Sequence, residues 1–188
     1  VASCCTVSPS ILYAMSSPLV NVTAEGKPGK RYHAGCEFVD EIEQLAIDRA
    51  CEIFKAQYAG VQPHSASNAN YQVMSAILNP GDTILGMSLD DGGHLTHGSR
   101  VTFSGSYYNA VGYHVNDQGT INYNEVATLA RKYKPKLIIC GATAYSQVVD
   151  FKKFREIADS VGAILMADIS HIAGLVITGR HPSPIDYA

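Results

Sequence analysis

The sequence predicts an α/β protein whose parallel β-sheet is covered by helices on both faces, in three layers. Short apolar runs without polar alternation are typical of strands buried on both sides. Amphipathic helical patterns separate these runs along the chain, as they do in successive βαβ units. A length of 188 residues and a hydrophobic fraction of 46% are sufficient for one sizeable core.

The elements follow in order along the chain. Residues 1–36 are rich in proline and glycine and are predicted to form an irregular N-terminal arm, ahead of a larger domain at 37–188. The predicted helices are 37–57, with Phe38, Ile42 and Leu45 on one apolar face, 68–78, 122–133, opened by a capping box at Asn122 and Glu125, and 151–161. The predicted strands are 59–62, 83–87, 137–140 and 164–167, the last ending at Asp168.

Charge and composition exclude several classes of function. The net charge is −3 and no long run of either sign is present, which argues against nucleic-acid or membrane-surface binding. No apolar run approaches the roughly 18 residues of a membrane span. The five cysteines form no Cys-x-x-Cys pair, which favours a reducing compartment, the cytoplasm or the mitochondrial matrix. Because the chain begins at valine and ends just after a proline-rich turn, we expect a piece of a longer protein.

Ligands of parallel α/β sheets bind outside the carboxyl ends of the strands, which directs attention to three segments. The first holds Ser65, Ala66 and Ser67, small residues between a predicted strand and a predicted helix. Their amides and hydroxyls suit a phosphate group. Plain N-capping of the helix by Ser65 or Ser67 explains the same pattern, and on spacing alone it is the stronger interpretation.

The second segment, residues 90–98, contains Gly92 and Gly93 followed by His94 and His97. The glycines allow the backbone to approach a ligand closely, and the histidines suit ring stacking, proton transfer or metal binding. A metal site needs a third ligand, and the sequence indicates none nearby. An ordinary polar loop with incidental histidines is an equal alternative.

The third segment begins at Asp168, a carboxylate at the end of a buried strand, which is unfavourable unless it is paired. Asp168 either caps the next turn or pairs with a cationic ring nitrogen, as in enzymes that use pyridoxal 5′-phosphate (PLP). A fourth, glycine-rich and basic segment at 24–33 is compatible with an anion contact, but a solvated loop is the more common explanation.

Taken together, these segments resemble the serine hydroxymethyltransferase family. The matching stretches are Ala24-Glu25-Gly26, Pro28-Gly29-Lys30-Arg31-Tyr32, Gly35-Cys36-Glu37, Val61-Gln62-Pro63-His64-Ser65, Gly92-Gly93-His94-Leu95-Thr96-His97-Gly98 and Asp168-Ile169-Ser170-His171-Ile172-Ala173-Gly174. The resemblance implies the aminotransferase-like large domain of fold type I PLP enzymes and a homodimer or homotetramer. It implies transfer of a hydroxymethyl group between serine and tetrahydrofolate, giving glycine and methylenetetrahydrofolate.

The resemblance also assigns roles to individual residues. Ser65, Ala66 and Ser67 would hold the PLP phosphate, His94 would stack on the ring, Asp168 would pair with the pyridine nitrogen, and Thr143 and His171 would lie near the phenolic oxygen. Glu25 would be the acid–base group, acting across a dimer interface. Ser3, Thr23 and His33 would line the substrate end, and Leu89, Gly93 and Leu95 the folate site. The family's cofactor lysine would lie beyond Ala188, so this chain alone is expected to be inactive.

Departures from the family pattern keep two other functions open. Thr23 and His33 stand where the family usually has tyrosines, and Cys4 and Cys5 follow Ser3 where it has glutamate and asparagine. An enlarged pocket would suit an α-methylserine hydroxymethyltransferase or a related aldolase. A catalytically silent paralogue that serves as a scaffold subunit is the third hypothesis, which the intact acidic and histidine residues disfavour.

Overall fold

The structure, a computed structural model, describes residues 6–188. The chain divides into two compact units, one ending at Gln62 and the other spanning Pro63–Ala188. The division predicted after residue 36 stays a prediction.

The first unit contains two helices and a small hairpin. In chain order it holds α1 (Pro9–Met15), a 3₁₀ helix at Pro18–Asn21, the antiparallel strands β1 (Gly26–Lys27) and β2 (Lys30–Arg31), and α2 (Glu37–Phe54). The prediction of a wholly irregular arm is therefore wrong. Ser8 accepts a hydrogen bond from the amide of Ile11 and Pro9 occupies the first turn, so a cap and a proline start α1 within a turn-rich sequence.

The helix predicted at 37–57 is confirmed, but it ends at Phe54, because Lys55 adopts the left-handed conformation (φ 56°) that terminates it. The strand predicted at 59–62 is wrong, since this segment pairs with no other strand. Instead, the side chain of Gln62 donates hydrogen bonds to the carbonyl of Gly26 and to Glu43. No side chain of α2 is buried within the described chain, and Phe38 on its apolar face is 72% exposed.

The second unit is built on a four-stranded sheet, and all of its pairings are parallel. Its elements in chain order are α3 (Ala66–Ile77), β3 (Thr83–Met87), α4 (Phe103–Tyr107), β4 (Asn109–Tyr113), α5 (Tyr123–Tyr133), β5 (Leu137–Gly141), α6 (Phe151–Val161), β6 (Ile164–Asp168) and α7 (Ala173–Ile177), with 3₁₀ helices at Leu89–Asp91 and Leu95–His97. The strand order is β4-β3-β5-β6.

Both faces of this sheet are covered, as predicted. Alternate residues of a strand point to opposite faces, and the buried side chains fall into two clusters accordingly. Ile138 and Cys140 of β5 pack with Phe154 of α6 in one cluster, whereas Leu137 of β5 packs with Met74 of α3 in the other. The α/β class with helices on both faces of a parallel sheet is confirmed.

Local differences have identifiable causes. Strand β4 was missed because it lies at a sheet edge, carries Gly112 and lacks the apolar run of a central strand. Asn122 does cap α5 by accepting from the amide of Glu125. The predicted reciprocal half of that capping box is absent, since the Glu125 carboxylate accepts from the amide of His114 instead. Within residues 6–188, no helix combines the length and apolar character needed to cross a membrane.

Candidate active site

The candidate site lies at the carboxyl ends of three neighbouring strands. Asp168 is the last residue of β6 and lies beside Gly141, the last residue of β5. The segment that carries His94 and His97 follows β3. Because parallel strands end at the same edge of a sheet, residues far apart in the sequence are brought together there.

Asp168 accepts four hydrogen bonds, two at each carboxylate oxygen. Oδ2 accepts from Nε2 of His97 and from Nδ2 of Asn70, each at 2.9 Å. Oδ1 accepts from the amide of Ser170 at 3.1 Å and from its hydroxyl at 2.6 Å. The bond from the Ser170 amide two residues on is the turn cap that the simpler interpretation predicted. That interpretation is incomplete, because two donors come from other elements.

These donors decide the charge of Asp168. Burial raises the pKa of its carboxyl group, but the hydrogen bonds from His97, Asn70 and Ser170 together lower that pKa well below its ordinary range. Asp168 is therefore ionised at neutral pH. A buried anion with fixed partners is suited to keeping a proton on a basic nitrogen placed next to it.

His94 is joined to Asp168 through two intervening side chains. Asn70 uses its second amide hydrogen to donate to Oγ1 of Thr96 at 2.8 Å, and that oxygen lies 2.8 Å from Nδ1 of His94. The backbone amide of Thr96 also donates to this Nδ1 at 3.1 Å. Because an amide can only donate, Nδ1 carries no hydrogen and the Thr96 hydroxyl donates to it as well. His94 is consequently the neutral tautomer with its hydrogen on Nε2.

The environment of His94 favours the same neutral form. Burial lowers the pKa of its imidazole, the nearby His97 and His171 lower it further, and the charge of Asp168 raises it. The net pKa lies below the ordinary value for histidine. His171, which contributes to this shift, is exposed, and its predicted place near the phenolic oxygen stays a prediction.

Asn70 was not among the predicted site residues, and His97 was considered only as one of two histidines in its loop, with no role at Asp168. His97 is 4% exposed and its Nδ1 accepts from the amide of His94, which leaves the Nε2 hydrogen for Asp168. Asn70 is 7% exposed within α3. The signal for Asn70 was available: an asparagine on the inward face of an amphipathic helix requires buried partners.

The segment predicted to hold a phosphate forms the start of α3. Ser65 is the N-cap, and its hydroxyl accepts from the amide of Asn68 at 3.1 Å, as the capping interpretation predicted. Within residues 6–188, the amides of Ala66 and Ser67 donate to no acceptor. Capping and anion binding are thus compatible here, because Ser65 uses one amide and leaves two for a ligand.

The loop between β3 and His94 is closely packed. A side chain at Gly93 would overlap the carbonyl oxygen of Met87, so only glycine fits. The carbonyl of Gly92 accepts from the amide of Thr143 at 2.8 Å, which fastens this loop to the end of β5. The hydroxyl of Thr143 is buried and has no hydrogen-bond partner within the described chain.

The remaining predicted residues lie in the first unit, in the segment after β3, or outside the described chain. Glu25, Thr23 and His33 belong to the first unit, where Nε2 of His33 lies 3.0 Å from Oε2 of Glu25. Ser3 lies outside residues 6–188. Of the predicted folate contacts, Leu89 lines a cavity of about 200 Å³ together with His94 and His97, and Leu95 is 41% exposed.

The residues present fit a phosphorylated pyridine ring. The free amides at the start of α3 suit the phosphate, the ionised Asp168 suits a protonated ring nitrogen, and the unpartnered hydroxyl of Thr143 suits a phenolic oxygen. The four bonds at Asp168 fill its acceptor capacity, so a ring nitrogen must replace one donor. The hydroxyl of the exposed Ser170 is the donor that can turn to solvent. Among residues 6–188, no three His, Cys, Asp or Glu side chains group as metal ligands.

Comparisons with known proteins identify the family of the chain. The family model for serine hydroxymethyltransferase matches residues 1–188. The chain is 59% identical over 182 residues to a serine hydroxymethyltransferase of Metamycoplasma arthritidis (strain 158L3-1), covering 97% of the chain and 43% of that protein. It is also 59% identical over 181 residues to a serine hydroxymethyltransferase of Dichelobacter nodosus (strain VCS1703A), covering 96% of the chain and 43% of that protein. The chain thus spans under half the length of these relatives. It belongs to the serine hydroxymethyltransferase family.

Proposed function

We propose that the protein carrying this chain is a PLP-dependent serine hydroxymethyltransferase, which transfers a hydroxymethyl group between serine and tetrahydrofolate to give glycine and 5,10-methylenetetrahydrofolate. The observation that carries the proposal is the hydrogen-bonded series from ionised Asp168 through Asn70 and Thr96 to neutral His94. The two relatives bear the name of the serine enzyme, which favours serine over α-methylserine and an active enzyme over a silent scaffold.

The cofactor would be held by the second unit. Ser65, Ala66 and Ser67 would bind its phosphate at the positive end of the α3 dipole. Asp168 would keep the ring nitrogen protonated, and His94, being uncharged, would pack against the ring without electrostatic repulsion from it. Pyridoxal phosphate, when bound, supplies an electron sink for the negative charge that develops on the amino acid.

Thr143 and His171 would act at the phenolic edge of the ring. The Thr143 hydroxyl, which lacks a partner within residues 6–188, gains one if it donates to the phenolic oxygen. His171 is exposed and close enough to influence the pKa of His94, so it can serve as a further donor at the same edge.

The substrate side is proposed from the resemblance and from one contact. Glu25 would move a proton to or from the substrate hydroxymethyl group, and His33, 3.0 Å away, would orient its carboxylate. Ser3 and Thr23 would complete the amino-acid pocket. The folate would lie against apolar surface at Leu89, Gly93 and Leu95, and both leucines are exposed as such a contact requires.

We further propose a homodimer or homotetramer in the cytoplasm. The apolar face of α2 leaves Phe38, Ile42 and Leu45 exposed, which suits contact with a second copy. Cys36, Cys51 and Cys140 are free thiols, which suits a reducing compartment.

Turnover of serine by the full-length protein tests the proposal. Glycine should form only when both PLP and tetrahydrofolate are supplied. Asp168→Asn should abolish turnover, because a neutral amide cannot hold the ring proton, whereas Asp159→Asn, an exposed carboxylate on α6, should retain it. Full activity of Asp168→Asn, or glycine formation that is independent of PLP, would contradict the proposal.

A further inference from the structure

A hydrogen bond between two side chains joins the loop after β3 to the end of β4. Nδ1 of His114 lies 2.6 Å from Oδ2 of Asp91, and because a carboxylate only accepts, the imidazole is the donor. Oδ1 of Asp91 accepts from the amide of Val115 at 3.4 Å. The His114 side chain is 53% exposed and that of Asp91 is 17% exposed, so the carboxylate is the more enclosed partner.

The residue after Asp91 connects this pair to the candidate site. The carbonyl of Gly92 accepts from the amides of Thr143 and Ala144 at 2.8 and 3.0 Å. Gly92 has a φ of 102°, and a Cβ there would lie 2.5 Å from the carbonyl oxygen of Ala144. The close approach of the loop backbone to Ala144 therefore requires glycine at this position. Asp91 restrains the same loop on its other side, towards β4.

Two groups of the proposed cofactor site depend on this loop. His94 follows Gly92 by two residues in the chain. Thr143, whose hydroxyl is buried, donates its backbone amide to the carbonyl of Gly92. The loop that bears His94 is therefore hydrogen-bonded both to the backbone of Thr143 and, through Asp91, to the end of β4. Without the His114 side chain, Asp91 keeps only the long bond from the Val115 amide as its side-chain contact on the β4 side.

We propose that Asp91 and His114 form a positioning pair that holds the loop bearing His94 at the spacing a pyridine ring requires. The inference rests on the proposed cofactor and extends it to residues that do not touch the ring. The pair acts through the backbone of residues 91–94. Its contribution is to orientation, and no proton transfer is assigned to it.

Binding of pyridoxine 5′-phosphate to the full-length protein tests the pair. This probe has no aldehyde, so it occupies the ring site without covalent chemistry. His114→Ala should weaken its binding about three- to fivefold, the range expected when one partly exposed hydrogen bond is lost. It should also diminish the circular dichroism induced in the bound ring, which reports ring orientation. His114→Asn should restore both, because the asparagine amide nitrogen lies where Nδ1 of histidine lies.

Lys136→Ala provides a matched control. It breaks the Lys136–Asp82 ion pair, whose side chains are 54% and 17% exposed, at the opposite ends of the strands. It should leave probe binding and the induced signal unchanged. Equal losses in Lys136→Ala and His114→Ala, no loss in His114→Ala, or no rescue by His114→Asn would each overturn the pair's role. Failure of the unaltered protein to bind the probe would instead overturn the proposed cofactor, so the two results are distinguishable.

Discussion

Replacement of Asn70 by leucine removes the amide that joins Asp168 to Thr96. Two hydrogen bonds are lost, one to a buried carboxylate at 2.9 Å and one to a hydroxyl at 2.8 Å. A bond to a charged group contributes about 1.5–3 kcal/mol and a neutral bond about 1 kcal/mol, so Asn70→Leu should lower the free energy of unfolding by about 2–4 kcal/mol. Urea unfolding followed by circular dichroism measures this loss.

The loss should depend on pH in a defined direction. The folded-state pKa of Asp168 lies below its unfolded value, so its ionised form contributes stability above about pH 4 that is lost as the pH falls through the folded pKa. The difference in the free energy of unfolding between Asn70→Leu and the unaltered protein should therefore become smaller below about pH 4. Asn68→Leu should lower the free energy of unfolding by less than about 1 kcal/mol, because the Asn68 side chain, on the same helix, makes only exposed hydrogen bonds. Equal costs for the two variants, or a pH-independent difference, would refute the reasoning.

Three further predictions concern His97, the closely packed Gly93 and the buried Cys140. In urea unfolding, His97→Phe should lower the free energy of unfolding by about 1.5–3 kcal/mol, because the bond to Asp168 is lost. His97→Gln should recover part of this loss, because its amide nitrogen lies near the position of Nε2. Equal stability of the two variants would contradict the assigned bond. Gly93→Ala should lower the free energy of unfolding by more than about 2 kcal/mol, because its Cβ would overlap backbone atoms. Gly174→Ala, within α7, places its Cβ in open space and should raise the free energy of unfolding by up to ~1 kcal/mol, measured by thermal unfolding. Cys51 should react with a thiol reagent before Cys140, because burial raises the pKa of the Cys140 thiol. Mass spectrometry of the modified protein gives the order of reaction. Earlier reaction of Cys140 would contradict the buried position of β5.

Hydrophobic pattern predicted the central part of the fold. Strands β3, β5 and β6 are apolar runs and helix α6 is strongly amphipathic, so the hydrophobic pattern of the sequence locates them. Strand β4 was missed because Asn109 and Gly112 interrupt its apolar residues, whereas the other edge strand, β6, begins with an apolar run. The segment 59–62 was wrongly predicted because a short run says nothing about whether a neighbouring strand is available.

The candidate site was predicted only in part, for a physical reason. Asp168 was identified because a charge at the end of a buried strand requires partners. Those partners, Asn70 and His97, lie 98 and 71 residues away in the sequence, and only the folded sheet brings them together. The neutral state of His94 also depends on a hydrogen bond from the Thr96 amide, which no sequence pattern reports.

The charge on the pyridine nitrogen of a bound ring tests the central claim most directly. Pyridoxine 5′-phosphate labelled with ¹⁵N in the ring can be bound to the full-length protein and its nitrogen chemical shift recorded by NMR at neutral pH. The account predicts a protonated nitrogen in the unaltered protein and an unprotonated one in Asp168→Asn. An unprotonated nitrogen in the unaltered protein, or the same shift in both, would contradict it.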